Sequence, residues 1–360
     1  MHGNQLGLTH DLFVASADGT IERAAGVRSQ SGIGGCSIDC VSCDEPNMTH
    51  LFIGVDGGGT KTVGVLVDAA GAVLAQLRTE STNLHAVGPE LARQRLIALV
   101  DELLARGSGG ELAGIGLGMS GVGRPEERAQ VAGWIQAHFP AVACFVDNDA
   151  VTALAAATGG DLFGIVVISG TGMIVLGIDR QGRRQRAGGW GPLIGEPGGG
   201  FSLGAAALNA VAEAADEIGP PTLLTAALLG HLGLTNPADL VGWAYADVSW
   251  ARFASLAPLV VQCAQAGDAV SAEILDGAAD ALAQRVLAVM RRLDLTTTPF
   301  PCVLTGGNLA PGLLADRLTD RLHTLAPHAQ VTRPTVDAAV GAAWLAKRQI
   351  DRGLFKAHLL

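Results

Sequence analysis

From Leu51 onward the apolar positions come in short bursts separated by glycine-containing turns. Leu51–Val55 is followed by Asp56-Gly57-Gly58-Gly59-Thr60-Lys61-Thr62, then Val63–Val67, a turn at Ala69-Ala70-Gly71, and Val73–Leu77. Runs this rich in β-branched residues, broken by tight turns, predict three antiparallel strands. From Pro89 to Ala105 the period lengthens, and Leu91, Leu96, Leu99 and Leu103 fall on one side of a predicted helix. A strand over 113–117, a helix over 125–138, a strand over 143–146 and a helix running to Ala157 complete one α/β lobe.

A second copy of this pattern begins at Phe163. The stretch "GIVVISGTGMIVLGIDRQGRR" echoes "FIGVDGGGTKTVGVLVDAAGAV": apolar strand, small-residue turn, apolar strand ending in Asp, then a glycine turn. Similarity at this scale indicates duplication of a structural unit. A helical region follows over 203–293, with breaks at Gly219-Pro220-Pro221, Thr235-Asn236-Pro237 and Gly267-Asp268. Then come a strand in "PCVLTGG", a helix from Pro311, a short strand near Val331 and a final helix Val336–Lys347. The expected organisation is two related lobes, 48–157 and 158–335, hinged near residue 158, with the last helix (336–350) returning to the first. The two glycine turns are expected to face one another across a cleft.

Composition narrows the class. A chain of 360 residues, 49% hydrophobic and 16% charged, can bury two cores. The formal net charge of -10 argues against nucleic acid or an anionic membrane as partner. Every apolar run is interrupted before the ~20 residues that a membrane span requires. Asp11, Asp18 and Glu22 do not fit a signal peptide, so a cytoplasmic protein is expected. Residues 1–47 are weakly patterned and are read as a disordered extension or a misplaced start, with Met48 the natural beginning. Cys36, Cys40 and Cys43 have the C-x3-C-x2-C spacing of an iron–sulfur loop, but the αβ-barrel that accompanies such loops does not follow. Cys144, Cys263 and Cys302 are isolated in apolar surroundings and are expected to be buried thiols.

The first turn is not a Walker loop, because Thr60 separates the glycines from Lys61 and a strand, not a helix, comes next. Gly57, Gly58 and Gly59 let backbone N–H groups approach phosphate oxygens without Cβ obstruction. Thr60 adds a hydroxyl and Lys61 a charge. Asp56 beside a phosphate calls for a divalent cation, so it is assigned to Mg²⁺ held through water. Ser169-Gly170-Thr171-Gly172 repeats this chemistry in the second half, and Thr305-Gly306-Gly307-Asn308 is placed against an adenine or ribose. Trp190 can be either core packing or pocket lining. Arg183, Arg184 and Arg186 read as a solvated hairpin face, and His85 alone indicates neither metal nor base.

The motifs "VDGGGTKT", "VDNDA", "ISGTG", "GGWGPLIGEPG" and "LTGGN", in this order from about residue 50 to 347, resemble the N-acetylglucosamine kinase and BadF/BadG/BcrA/BcrD ATPase family. That family belongs to the superfamily of sugar kinases, heat-shock chaperones and actin. The resemblance implies two ribonuclease-H-like, actin-like lobes around a nucleotide cleft. It implies an ATP site at Asp56, Gly58, Thr60, Thr171 and Gly306–Gly307, and makes Asp149 the general base for an attacking sugar hydroxyl; Asp149 also suits an N-cap, and Asp147 is the alternative base. Asn83, in Ser81-Thr82-Asn83, is implied to bond the sugar. Gly189, Trp190 and Gly191 are implied to line its pocket, and Glu196 to replace a sugar-binding Asp. Leu84, Met173 and Ile174 depart from the family's polar pattern, which reduces the contacts available to N-acetylglucosamine itself. The implied activity is transfer of the ATP γ-phosphoryl to a hydroxyl, the 6-hydroxyl, of an amino sugar such as N-acetylglucosamine or glucosamine, with Mg²⁺ and in a homodimer. The alternative is an ATPase that activates a partner reductase or dehydratase through an iron–sulfur cluster, which needs suitably placed cysteines. A sugar-sensing repressor would need a helix-turn-helix before Leu51, and the sequence of residues 1–47 carries no pattern of an amphipathic helix pair.

Overall fold

The computed structural model describes residues 49–107 and 109–353. The expectations for residues 1–47, including the Cys36-Cys40-Cys43 spacing and the start at Met48, lie outside the described residues. Among the described residues, ten strands form two five-stranded sheets. The first holds β1 (Thr49–Gly57), β2 (Lys61–Asp68), β3 (Val73–Glu80), β4 (Gly110–Met119) and β5 (Ala143–Asp147), in the order β3-β2-β1-β4-β5. The second holds β6 (Gly164–Ser169), β7 (Met173–Ile178), β8 (Arg184–Gly188), β9 (Phe300–Thr305) and β10 (Ala329–Thr332), in the order β10-β9-β6-β7-β8. In each, three strands run antiparallel as a meander and two more join parallel to the first. The repeat heard in the sequence is therefore a repeat of topology.

The first half also contains helices α1 (Leu84–Val87), α2 (Pro89–Ala105), α3 (Pro125–His138) and α4 (Asp149–Ala157). The second contains α5 (Pro192–Gly195), α6 (Gly200–Ala215), α7 (Leu224–Leu232), α8 (Asp239–Ala246), α9 (Trp250–Ala254), α10 (Ala257–Gln265), α11 (Ala269–Arg292), α12 (Leu313–Leu325) and α13 (Ala338–Asp351). Two breaks in the helical region went unread: Asp247-Val248-Ser249 and Ser255-Leu256 carry neither Gly nor Pro. The buried face of α2 is Ala92, Leu96, Leu99, Val100 and Leu103; Leu91, assigned to that face, is exposed. The final helix starts at Ala338, two residues after the expected Val336, because Asp337 caps it by accepting from the Ala339 N–H.

Strand β1 is buried on both faces, which explains its nearly continuous apolar sequence. Leu51, Ile53 and Val55 pack with Leu96, Leu99 and Leu103 of α2. Phe52 packs on the opposite face with Ala339, Val340 and Ala343 of α13. That second approach is close: a Cβ on Gly54 would overlap the Ala339 carbonyl, and one on Gly116 the Ala342 carbonyl. Helix α4 makes the reciprocal move, burying Ala150, Val151 and Leu154 with Val166, Leu176 and Val303 of the second sheet. The two helices meet where Gly341 comes up against the backbone of Thr152 and Ala156. Among the described residues, no helix is long and apolar enough to cross a membrane.

Candidate active site

The turn between β1 and β2 is held by the Gly58 N–H, which donates to the Lys61 carbonyl at 2.9 Å. The Ser81 hydroxyl donates to the Gly58 carbonyl at 3.0 Å, and the Thr62 and Thr82 hydroxyls meet at 2.9 Å. Gly57 is confined, since a Cβ there would press on the Thr82 hydroxyl, whereas Gly59 has open space around it. Gly59, Thr60 and Lys61 are exposed. The tip of the hairpin is thus free to meet a ligand while its base is fixed.

Asp56 sits at the carboxyl end of β1, half-buried. Burial raises its carboxyl to about 7; the charges of Asp149 and Asp337 add to the rise, and Lys61 opposes it. Asp149 is the first residue of α4, not its N-cap; Asn148 is the cap and accepts from the Ala150 N–H. Burial raises the Asp149 carboxyl to about 6 against the N–H groups of Ala150 and Asp149. Asp337 was not singled out in the sequence. A signal existed, because "DAAV" at 337–340 parallels "DAV" at 149–151, each opening a helix after the last strand of its sheet. Among the described residues, no three His, Cys, Asp or Glu side chains are placed to hold a metal directly.

The turn between β6 and β7 stands on the start of α6. The Gly200 N–H donates to the Gly170 carbonyl at 2.8 Å, and the Phe201 N–H to the Thr171 carbonyl at 2.9 Å. Ser169 is buried and donates to the Gly198 carbonyl. The Asn308 amide donates to the Gly170 carbonyl at 2.7 Å and to the Ser169 hydroxyl at 3.1 Å. Gly306, at φ 95°, lies where any Cβ would strike the Ser169 backbone. The turns at 169–172 and 305–308 therefore form one surface, with Gly307 open beside it.

The residues expected at the sugar are placed as follows. Asn83 caps α1, its side-chain oxygen accepting from the His85 and Ala86 N–H groups. Its amide donates to the Ser120 hydroxyl at 2.9 Å, a partner not read from the sequence. Glu196 is buried and bridges two backbone donors, the Met173 N–H at 2.9 Å and the Gly191 N–H at 2.7 Å. Its carboxylate thereby ties the loop of Gly189, Trp190 and Gly191 to the start of β7. Trp190 is 62% exposed under the Arg186 guanidinium, which rules out the core-packing alternative. Leu84 and Met173 belong to the apolar cores, which accounts for the missing polar groups there.

Two expectations about charge change. Arg184 is not merely solvated: its Nη1 donates to the Asp147 carboxylate at 2.6 Å, linking β8 of the second sheet to the end of β5 in the first. Asp147, the alternative base, is thereby engaged, and its other oxygen accepts from the Asn148 N–H. Arg183 likewise pairs with Asp179 and Asp294. Of the isolated cysteines, Cys263 and Cys302 are buried and Cys144 is half-buried. Burial pushes the Cys144 and Cys302 thiols up to about 12, which keeps them out of thiolate chemistry.

Two sheets of identical topology, each with a glycine-containing turn between its first two strands, the first of them rooted at the Asp56 carboxylate, define the actin-like sugar-kinase class of α/β fold. A solved Chromobacterium violaceum structure, provisionally named an N-acetylglucosamine kinase, shares it with a TM-score of 0.66 and 29% identity, covering 83% of this chain and 99% of that one. Residues 53–346 match the BadF/BadG/BcrA/BcrD ATPase family, and the chain belongs to it. The N-acetyl-D-glucosamine kinase of Dictyostelium discoideum is 41% identical over 311 residues, 82% of this chain and 98% of the relative. The N-acetylmuramic acid/N-acetylglucosamine kinase of Clostridium acetobutylicum is 32% identical over 305 residues, 83% of this chain and 99% of the relative.

Proposed function

We propose that this protein is an ATP-dependent kinase that transfers the γ-phosphoryl group to the 6-hydroxyl of an amino sugar, with Asp149 as the general base. The observation that carries the reading is Asp149 itself: a half-buried carboxylate at the start of α4, in electrostatic contact with Asp56 at the root of the first glycine turn. With its carboxyl raised to about 6, it is basic enough to accept a hydroxyl proton and still ionised at neutral pH. The proton passes to the carboxylate as the hydroxyl oxygen attacks the γ-phosphorus, and ADP leaves. Gly58, Thr60, Thr171 and the Gly306–Gly307 turn hold the phosphates and nucleoside in this reading. Asp56 has the donor chemistry for Mg²⁺ through water, and the cation would neutralise charge on the β- and γ-phosphates. The 41% identity to a named amino-sugar kinase supports the acceptor class, and the ATP dependence of this reading goes with a cytoplasmic location. The reductase-activating alternative lacks support, since the thiols among the described residues stand apart and the two most strongly shifted stay protonated.

Asp149→Asn tests the assignment. ADP release driven by glucosamine, N-acetylglucosamine, N-acetylmannosamine or N-acetylmuramic acid is expected to fall by roughly 10²–10⁴. The affinity for a non-hydrolysable ATP analogue should stay within about threefold, well under a tenfold change in binding. The wild-type kcat/KM should rise with pH through an acid limb near 6, since the base must lose its proton to work. Unchanged turnover in the variant overturns Asp149 as base, and no acceptor-stimulated turnover overturns the activity.

A further inference from the structure

Beside the Gly189–Gly195 loop lies a cavity of about 360 Å³ whose lining includes Arg186, Trp190, Arg285 and Arg292. It is built by the edge strand β8 and by α11, where Arg285 and Arg292 stand two turns apart on one face. Each guanidinium is anchored on a backbone carbonyl. Arg186 donates to Gly188, Arg285 to Ala281 at 2.8 Å and Arg292 to Arg186 at 3.1 Å. Among the described residues none of the three pairs with a carboxylate. That is unusual company in a chain of net charge -10, whose neighbouring Arg183 and Arg184 both find acids. Burial holds Arg285 below its ordinary pKa, so its charge is incompletely solvated where it stands.

Convergent like charges repel, and an arrangement that keeps them together without an internal counter-ion is one that an external anion completes. Each arginine has five N–H donors and uses only one or two here, leaving forks that match tetrahedral oxyanions. Three cations suit a dianion better than a single carboxylate. The Trp190 indole, stacked under Arg186 yet 62% exposed, leaves apolar ring surface at the rim for ring carbons.

We propose that the Arg186–Arg285–Arg292 pocket binds the phosphate of a small sugar phosphomonoester, with the sugar against Trp190. The lining includes none of Asp56, Asp149 and Asp337, and its chemistry is that of a phosphorylated sugar such as the proposed reaction itself releases. Inorganic phosphate shares the same recognition by arginine.

Calorimetric titration of the full chain with N-acetylglucosamine 6-phosphate and with inorganic phosphate tests this, under saturating non-hydrolysable ATP analogue to fill the nucleotide cleft. The sugar phosphate should bind at one site per chain, and the double variant Arg285→Gln/Arg292→Gln should weaken it about tenfold or more. Arg292→Gln alone, an exposed change, should weaken it about threefold and guards against a misfolded double variant. Equal affinity for both ligands, lost in the variants, keeps the pocket and makes free phosphate its occupant. Binding that is absent, or untouched in both variants, overturns the proposal. The titration reads occupancy and not turnover, so a chain without kinase activity still gives a clear answer.

Discussion

Asp56 is a carboxylate whose charge the fold opposes strongly. Its carboxyl is raised from 3.8 to about 7, first by burial and then by Asp149 and Asp337. A group whose folded pKa lies above its unfolded value stabilises the protein when protonated. That contribution is therefore full below pH 4, declines as pH rises toward 7 and is gone above it. Asp149, raised to about 6, acts with the same sign over a narrower window. Asp56→Asn should thus be more stable than the wild type at pH 8 in metal-free buffer, by roughly 1–3 kcal/mol, and nearly equal to it at pH 4. Urea unfolding of both proteins at pH 4, 6 and 8 with a chelator present checks this. A difference that does not change with pH would remove the buried-charge account of Asp56. The same tension explains why a residue so costly to ionise suits a cation site: a divalent ion bound through water would make the charged form the favoured one.

At the scale of elements, the sheets were legible because β-branched apolar runs broken by glycine turns are local properties of the chain. Strands β1, β2, β6 and β7 and helices α2 and α3 fall close to where the pattern puts them. What was not legible depends on approach from a distance. Leu91 looked like core and Ala92 did not, yet tight helix–sheet packing selects the small residue. Glu196 resembled a sugar ligand, but only the folded loop shows two backbone N–H groups waiting for its carboxylate. Gly54 and Gly116 sit in β-strands, where glycine is usually a weakness, because α13 needs the room. Gly54→Ala should therefore cost roughly 2–3 kcal/mol, since the new methyl meets backbone that can retreat only by moving the helix. Gly59→Ala, with nothing within 4 Å, should leave stability within about 0.5 kcal/mol. Denaturant midpoints of the two variants decide the point, and equal losses would mean that α13 is not held closely against β1.

For the molecule as a whole, the exchange of α4 and α13 joins the two sheets through their backs, and the Arg184–Asp147 pair joins them again beside the candidate base. Asp147 is buried, Arg184 is partly exposed, and Arg128 stands 4.0 Å from the same carboxylate. An ion pair with one buried member loses more when broken from the arginine side, because the carboxylate is left without its closest counter-charge. Its position matters for function as well: Asp147 ends β5, and Asp149 begins α4 two residues later. A shift of the second sheet that released Arg184 would thus be felt at the base through a single turn of backbone. A double-mutant cycle with Arg184→Met and Asp147→Asn should give a coupling of about 1–2 kcal/mol in urea unfolding, reduced by the solvent that reaches Arg184. Arg184→Met should also lower kcat severalfold while leaving the affinity for an ATP analogue unchanged, since displacing a catalytic group slows chemistry without touching nucleotide contacts. Additive effects in the cycle, with kcat preserved, would show that the two halves align the base without this pair, leaving the crossed helices to set their geometry.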